Sequence, residues 1–424
     1  MPSEADPLRT HRLSLLAGCA CAVAVAVMAV GLAVLHPVPG DAPLVMSRQT
    51  GELFVRVGDD LRPVANLSSA YLILGHPAAP RLVDDAGLAN VPRGPVLGIP
   101  GAPRSIGTAT VAADPRWTVC DDRDGVTTVA VAGPDEPPEV PADRAVLVSA
   151  SDGSPYLLYD GRRAAVDPHD RVITRTLRLD RVRPRPASAT LLDAIPEGPA
   201  IIAPRVPGAG EPSGVAGFPI GGVLRTARAG SEEYYVVLRE GLQRVGRLAA
   251  DLIRFAYPAG DAEIVSVTPD LVAASAVVDS LPVTTYPGDA SALLEVSGDL
   301  CATWRSGRVG IAAGEVPTDR RGGVMLAIAD GNGPNVDAVR IPAGHHVDAT
   351  AAMLTTETGT SGRYLITDAG IRFPLRDSST ATALGLGPVP AQVPWAIIAT
   401  LPAGPELSRD AASVRRDVVA AVTP

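Results

Sequence analysis

From Leu13 to Leu35 the chain carries no charge and reads LSLLAGCACAVAVAVMAVGLAVL. Coiled as a helix, this run extends roughly 35 Å against a hydrocarbon core of roughly 30 Å, so it predicts one transmembrane helix over residues 13–35. Arg9, His11 and Arg12 precede it, while Pro37, Pro39 and Asp41 follow. The positive-inside rule then places the segment 1–12 in the cytoplasm and the bulk of the chain outside the inner membrane. A cleaved signal peptide is the competing reading, but its apolar stretch is usually about 7 to 15 residues long, and no clean small-x-small site follows here.

Beyond the apolar run one pattern recurs four times. The copies are GELFVRVGDDLRPV from Gly51, GSPYLLYDGRRAAV from Gly153, SEEYYVVLREGLQRV from Ser231 and SGRYLITDAGIRFPL from Ser361. In each, an aromatic or aliphatic stretch, a turn glycine (Gly58, Gly161, Gly241, Gly370), an arginine and a second apolar stretch predict a β-hairpin. A segment of helical character follows every hairpin: ANLSSAYLILG, DRVITRTLRLD, GRLAADLIRFA and DSSTATALGLG, with Asp170 and Asp377 as N-caps. A proline-bracketed apolar stretch then closes the unit, a setting that permits a short edge strand. The predicted unit is strand, turn, strand, helix, loop, strand, over roughly 55 to 70 residues, a size that is marginal alone. The copies fall at 44–103, 146–212, 222–288 and 351–408.

Residues 104–145 and 289–350 lie outside these repeats and are expected to form one composite β core, with 409–424 as a C-terminal tail. Their mirrored strings WTVC (Trp117–Cys120) and CATW (Cys301–Trp304) place each cysteine near a tryptophan, read as a core aromatic packed beside a disulfide arm. Cys19 and Cys21 sit inside the apolar run, so Cys120 and Cys301 have no other partner outside it. In an oxidising exterior they are expected to pair; two buried free thiols are the alternative. The fold class is therefore α+β: a membrane helix, then an elongated, pseudo-twofold region of four β-rich repeats around a bridged core.

Gly 42 and Pro 41 support a turn-rich soluble part. A net charge of -9, without a basic stripe interleaved with aromatics, disfavours nucleic acid as a partner. The sequence contains no lysine, so a conventional Walker P-loop is excluded and every cationic role falls to arginine. Neither GxSxG nor HExxH occurs; GEPSG at Gly210–Gly214 misplaces its serine. His345, His346 and Asp348 in AGHHVD are the one cluster with ligand chemistry, read as a solvated loop because adjacent residues of an extended segment point apart. No catalytic residue, metal or cofactor is expected. Paired carboxylates such as Asp59–Asp60 and Glu232–Glu233 read as exposed turn and edge chemistry. Arg62, Arg163, Arg244 and Arg372, near the start of each second strand, read as a solubilising face, with an adjoining subunit or an anionic polymer as the other partners they suit.

PVLGIPGAP (Pro95–Pro103), WTVCDD (Trp117–Asp122), ADLIRFA (Ala250–Ala256), VTPD (Val267–Asp270), LPVTTYP (Leu281–Pro287), GIRFPL (Gly370–Leu375) and LPAGPELSRDAA (Leu401–Ala412) together make a specific set. On them the chain resembles the EccB family, a membrane component of type VII (ESX) secretion systems of mycobacteria and related actinobacteria. The resemblance implies one membrane helix, four periplasmic repeats around a core, and a disulfide at Cys120 and Cys301. It also implies a structural role in protein export beside an FtsK/SpoIIIE-like ATPase (EccC), a many-helix membrane protein (EccD), a further subunit (EccE) and a mycosin protease, with self-association in a hexameric assembly. Contact with peptidoglycan is an alternative, since such repeats look like a cell-wall-binding phage lysin subunit. Some family members carry an ATPase label, which the missing lysine disfavours. The segment before the membrane helix is shorter here than the family's usual one.

Overall fold

A computed structural model describes residues 41–417, apart from residues 90, 110–114, 132–136, 216, 229–230, 258–262, 289–291, 316–322, 332 and 353–361. The predicted cytoplasmic segment and transmembrane helix lie outside the described residues, among which no helix is long and apolar enough to cross a membrane. The fold is mixed α+β and rich in short strands.

The described residues form two compact units, one from those up to Ile106 with Phe373–Pro388 and those from Gly404, the other from those within Gly107–Arg372 with Val389–Ala403. In the smaller unit the strands Leu44–Ser47, Leu53–Val57 and Asp60–Val64 pair antiparallel, and Arg81–Val83 runs parallel to the first. Helix Leu67–Leu74 follows. Asn66 caps it by accepting from the Ser69 amide, and Gly75 ends it in the left-handed conformation that a Cβ would strain. The PVLGIPGAP segment is tied beneath this helix by Asn66 Nδ2 donating to Ile99 O and Ile99 N donating to Ser69 Oγ. Apolar side chains alternate along the strands, so Leu44, Val55 and Val64 pack on the helix face and Val45, Phe54 and Leu61 on the other. Helices Ser378–Ala383 and Arg409–Ala412 pack on Leu67–Leu74, and Arg415–Arg416 pairs with Val96–Leu97. Residues 409–416, read from sequence as tail, are thus a helix and an edge strand.

The same order of elements recurs in the larger unit. Arg144–Ser149, Pro155–Tyr159 and Arg162–Ala165 precede helix Arg171–Leu177; Val223–Arg228, Ser231–Val237 and Leu242–Val245 precede helix Arg247–Ala256. Each first strand also takes a short parallel partner, Arg185–Pro186 and Val265–Ser266 respectively, followed by a short helix, Ala189–Asp193 or Pro269–Ala274. The return segment then runs parallel to the third strand, through Arg163↔Glu197 and Val166↔Ile201 in one copy and Leu242↔Val277 in the other, as Leu61↔Arg93 does in the smaller unit. The elements of the last copy are divided between the units. His345–Ala352, Arg363–Thr367, Ala391–Pro394 and helix Trp395–Thr400 lie in the larger one, helix Ser378–Ala383 in the smaller. Sequence reading predicted neither the leading strand nor the short parallel one.

The larger unit also holds a six-stranded sheet in the order Arg308–Gly314, Asp299–Arg305, Trp117–Asp121, Thr127–Val131, Ala338–Arg340, Val324–Met325. Two parallel pairings join segments that flank its strands in sequence to other sheets: Ala292–Leu293 against Arg144–Ala145, and Thr108–Ala109 against His345–His346. Helices Arg171–Leu177 and Arg247–Ala256 bury Ile173, Leu177, Leu248 and Leu252 in a shared cluster. Tyr159 Oη donates to Thr285 O at 2.9 Å and Tyr286 Oη to Ile202 O at 2.7 Å, which locks these two copies reciprocally.

Gly161 shows how closely a hairpin turn approaches the central sheet. Its φ is +67°, and a Cβ added there would fall 2.1 Å from Val309 O. Gly161→Ala therefore meets both left-handed strain and a backbone clash, and is expected to cost on the order of 2 kcal/mol or more, read as a lowered urea midpoint.

Candidate functional site: the disulfide-pinned sheet

Antiparallel register sets Cys301 opposite Cys120 and Trp304 opposite Trp117. The cysteines are joined, with S–S 2.05 Å and Cα–Cα 4.1 Å, across a sequence separation of 181. Side chains alternate faces along a strand, so a spacing of three residues puts each tryptophan on the face opposite its cysteine. Trp117, Val119, Val129, Val131, Leu300, Ala302 and Trp304 accordingly belong to the main core, together with Leu191 and Leu192 of one short helix and Ile397 and Ile398 of another. The disulfide faces the other way. There Cys120, Thr128, Asp299, Met325 and Arg340 line a small recess of about 130 Å3. Packing of the tryptophans beside the disulfide, expected from WTVC and CATW, is corrected by this alternation.

Asp121 follows Cys120 on the tryptophan face and is buried. Its carboxylate accepts from Ser188 N at 2.7 Å, Ser188 Oγ at 2.8 Å and Thr127 Oγ1 at 2.9 Å. Arg185, in the short parallel strand, donates to the carbonyls of Asp121, Asp122 and Gly298. Asp337 is buried as well and accepts from the amides of Thr127, Asp330 and Gly331. These groups pin the short helix Ala189–Asp193 and the 330–337 loop to the bridged strands; none is placed as a nucleophile or a base–nucleophile pair.

Burial raises the pKa of Asp121, opposed by the Ser188 and Thr127 hydrogen bonds and the Arg185 charge. The folded state then holds the proton more tightly than the unfolded one, so this contribution to stability is full below the ordinary value of 3.8 and is lost as pH rises through the raised value. The stability of the wild type relative to Asp121→Asn, measured by urea unfolding, is expected to improve between about pH 7 and about pH 4. A pH-independent difference would remove Asp121 as the cause.

The other candidates are dispersed. His345 and His346 lie in strand His345–Ala352, not in a solvated loop. His346 is buried with Nδ1 2.8 Å from Gly107 O, and burial lowers its pKa; Asp348 instead pairs with Arg363 at 2.5 Å. Among the described residues no group of three His, Cys, Asp or Glu side chains is arranged to hold a metal.

The four hairpin arginines do not form one solubilising face. Arg62 is half-buried beside Asp60, Arg163 reaches Asp193 and Glu197, and Arg372 donates to Leu401 O at 2.9 Å while lying over the Trp395 ring; Arg244 alone of the four is largely exposed, 3.2 Å from Glu233. Arg163 and Arg372 tie their hairpins to neighbouring segments, whereas Arg62 and Arg244 pair within their own hairpins. Glu232 and Glu233 stand in a strand, where a hydrogen bond from Tyr234, with Arg225 and Arg247 nearby, lowers the pKa of Glu232.

The family profile described as "Type VII secretion system ESX-1, transport TM domain B" (EccB) matches residues 2–421. The chain belongs to this family. It is 33% identical over 455 residues to the "ESX-5 secretion system ATPase EccB5" of Mycobacterium tuberculosis, covering 98% of this chain and 89% of that protein. To the "ESX-3 secretion system ATPase EccB3" of Mycolicibacterium smegmatis it is 34% identical over 452 residues, covering 98% and 86%. In structure it resembles a chain of an intact ESX-5 inner membrane complex, with TM-score 0.75, 31% identity, and 99% and 92% of the two chains covered. It also resembles the EccB3 dimer from the ESX-3 core complex, with TM-score 0.74, 31% identity, and 88% and 100% covered. Membership in the EccB family fits a site made of cross-links and packed aromatics.

Proposed function

We propose that this EccB-family chain is a structural subunit of an ESX inner-membrane secretion complex, anchored by residues 13–35 and bracing its neighbours through four repeats outside the membrane. The similarity along nearly the whole chain to a member of an intact ESX-5 inner membrane complex carries this reading. Its partners are other ESX membrane subunits, namely the FtsK/SpoIIIE-like ATPase, EccD-like and EccE-like proteins and further copies of itself, with a mycosin protease nearby. A tagged full chain, captured from detergent-solubilised membranes, is expected to bring those subunits with it. Recovery of the chain alone, with export of ESX substrates normal after its deletion, would overturn the proposal.

The curated relatives are named ATPases. A chain without lysine lacks the residue that reaches the β and γ phosphates in a Walker site, so the subunit is read as non-enzymatic. Purified protein free of the FtsK-like partner is expected to release phosphate from ATP only at the background rate.

A further inference from the structure

Arg171 and Arg175, four apart on helix Arg171–Leu177, stack along one face roughly 5–6 Å apart, and Arg178 follows as the helix C-cap. With Arg181, His169, Asp180 and Phe255 they line a wide cleft of about 870 Å3. All four arginines are exposed. Asp180 is the single carboxylate in the lining, and it is 3.8 Å from Arg181 in an exposed pair. Arg171, Arg175 and Arg178 form no ion pair with another described residue. Positive charge is therefore concentrated on one small surface of a chain whose net charge is -9. Adjacent like charges on a helix face repel; the helix dipole favours Arg175 and Arg178 at the C-terminal end but not Arg171 at the first position.

Two features distinguish this row. The ring of Phe255, from helix Arg247–Ala256, has the guanidinium of Arg175 at 4.1 Å and that of Arg254 at 4.2 Å from its centre. Arg254 is fixed by Asp251 at 2.8 Å, whereas Arg175 lines the cleft beside the ring. Arg178 ends the helix with φ 54°, a left-handed position usually given to glycine and costing a side chain roughly 1–2 kcal/mol.

We propose that this cleft docks an acidic polypeptide segment of a partner protein, its carboxylates gripped by the guanidinium forks. Alternate side chains of an extended strand lie about 6.6 Å apart, close to the spacing of two residues four apart on a helix, so successive acidic residues on one side of a strand can meet the forks of Arg171 and Arg175. A polysaccharide would want an open aromatic face for stacking, and two guanidiniums already stand against the ring of Phe255, the one aromatic residue in the lining. A lipid surface would want an apolar wedge, and no exposed large hydrophobic residue belongs to the cleft.

The test is fluorescence anisotropy of a labelled oligoglutamate peptide titrated with the full chain in nonionic detergent, at roughly 50 mM salt. The triple variant Arg171→Gln/Arg175→Gln/Arg178→Gln is expected to weaken binding by about tenfold or more, while the charge-matched control Arg123→Gln/Arg239→Gln/Arg244→Gln changes it less than about twofold. Arg171→Glu alone, at an exposed site away from Phe255, gives the same direction without touching the stacked pair. Equal weakening by both triple variants would reduce the effect to net charge and overturn the site. So would absence of peptide binding, or binding only to phosphatidylglycerol vesicles through these arginines.

Discussion

Replacing Cys120 and Cys301 together by alanine is expected to lower stability by up to about 5 kcal/mol, and the melting temperature by on the order of 10 °C. The bond closes a loop of 181 residues, and the chain-entropy cost of leaving such a loop open rises with its length. The cysteines lie in adjacent interior strands of the six-stranded sheet, and the loop encloses two complete hairpin copies with their helices. Calorimetry of the wild type with and without a reductant should show the same shift as the double variant. A shift in the variant alone would point to lost packing instead. No shift in either would mean that the ladder from Trp117 to Asp121 holds the halves together unaided.

Trp117→Ala is expected to cost about 3–5 kcal/mol, since the indole is 0% exposed and its removal leaves a large cavity in the main core. Trp117→Phe should cost much less, because the indole N–H has no hydrogen-bond partner among the described residues. Since the tryptophan and the disulfide occupy opposite faces, the losses from Trp117→Ala and from removal of the bridge are expected to add within about 0.5 kcal/mol in a double-mutant cycle. Strong coupling would mean that the two faces relax together. Urea unfolding, with the slope compared between variants, measures these differences.

The hairpins are visible in the sequence because their turns need a residue that tolerates positive φ, and glycine supplies it at Gly58, Gly161, Gly241 and Gly370. The helix starts are visible for a similar reason: Asp170 accepts from the Val172 and Ile173 amides, and Asp377 accepts from the Thr380 amide. The short parallel strands leave no such mark. Arg185–Pro186 and Val265–Ser266 are too brief to show alternation, and their pairing is set by tertiary contact. WTVC and CATW point to the right strands, but a three-residue spacing read as proximity obscures the fact that it separates faces in a strand. AGHHVD looks polar and loop-like, yet alternation turns His346 inward and leaves His345 outside. Asp121 could have been found as the acidic residue directly after Cys120 in an otherwise apolar strand; its partners Ser188 and Arg185 carry no sequence signal linking them to it.

The crossed pairings of Ala292–Leu293 with Arg144–Ala145 and of Thr108–Ala109 with His345–His346 impose a timetable on biogenesis. Neither half of the polypeptide can complete its strand neighbours until the other has been made. At typical translation speeds of about 5–20 residues per second, the second cysteine emerges roughly 10–40 s after the first. For that interval a newborn chain presents an unmated thiol and open strand borders, and so depends on whatever shields it.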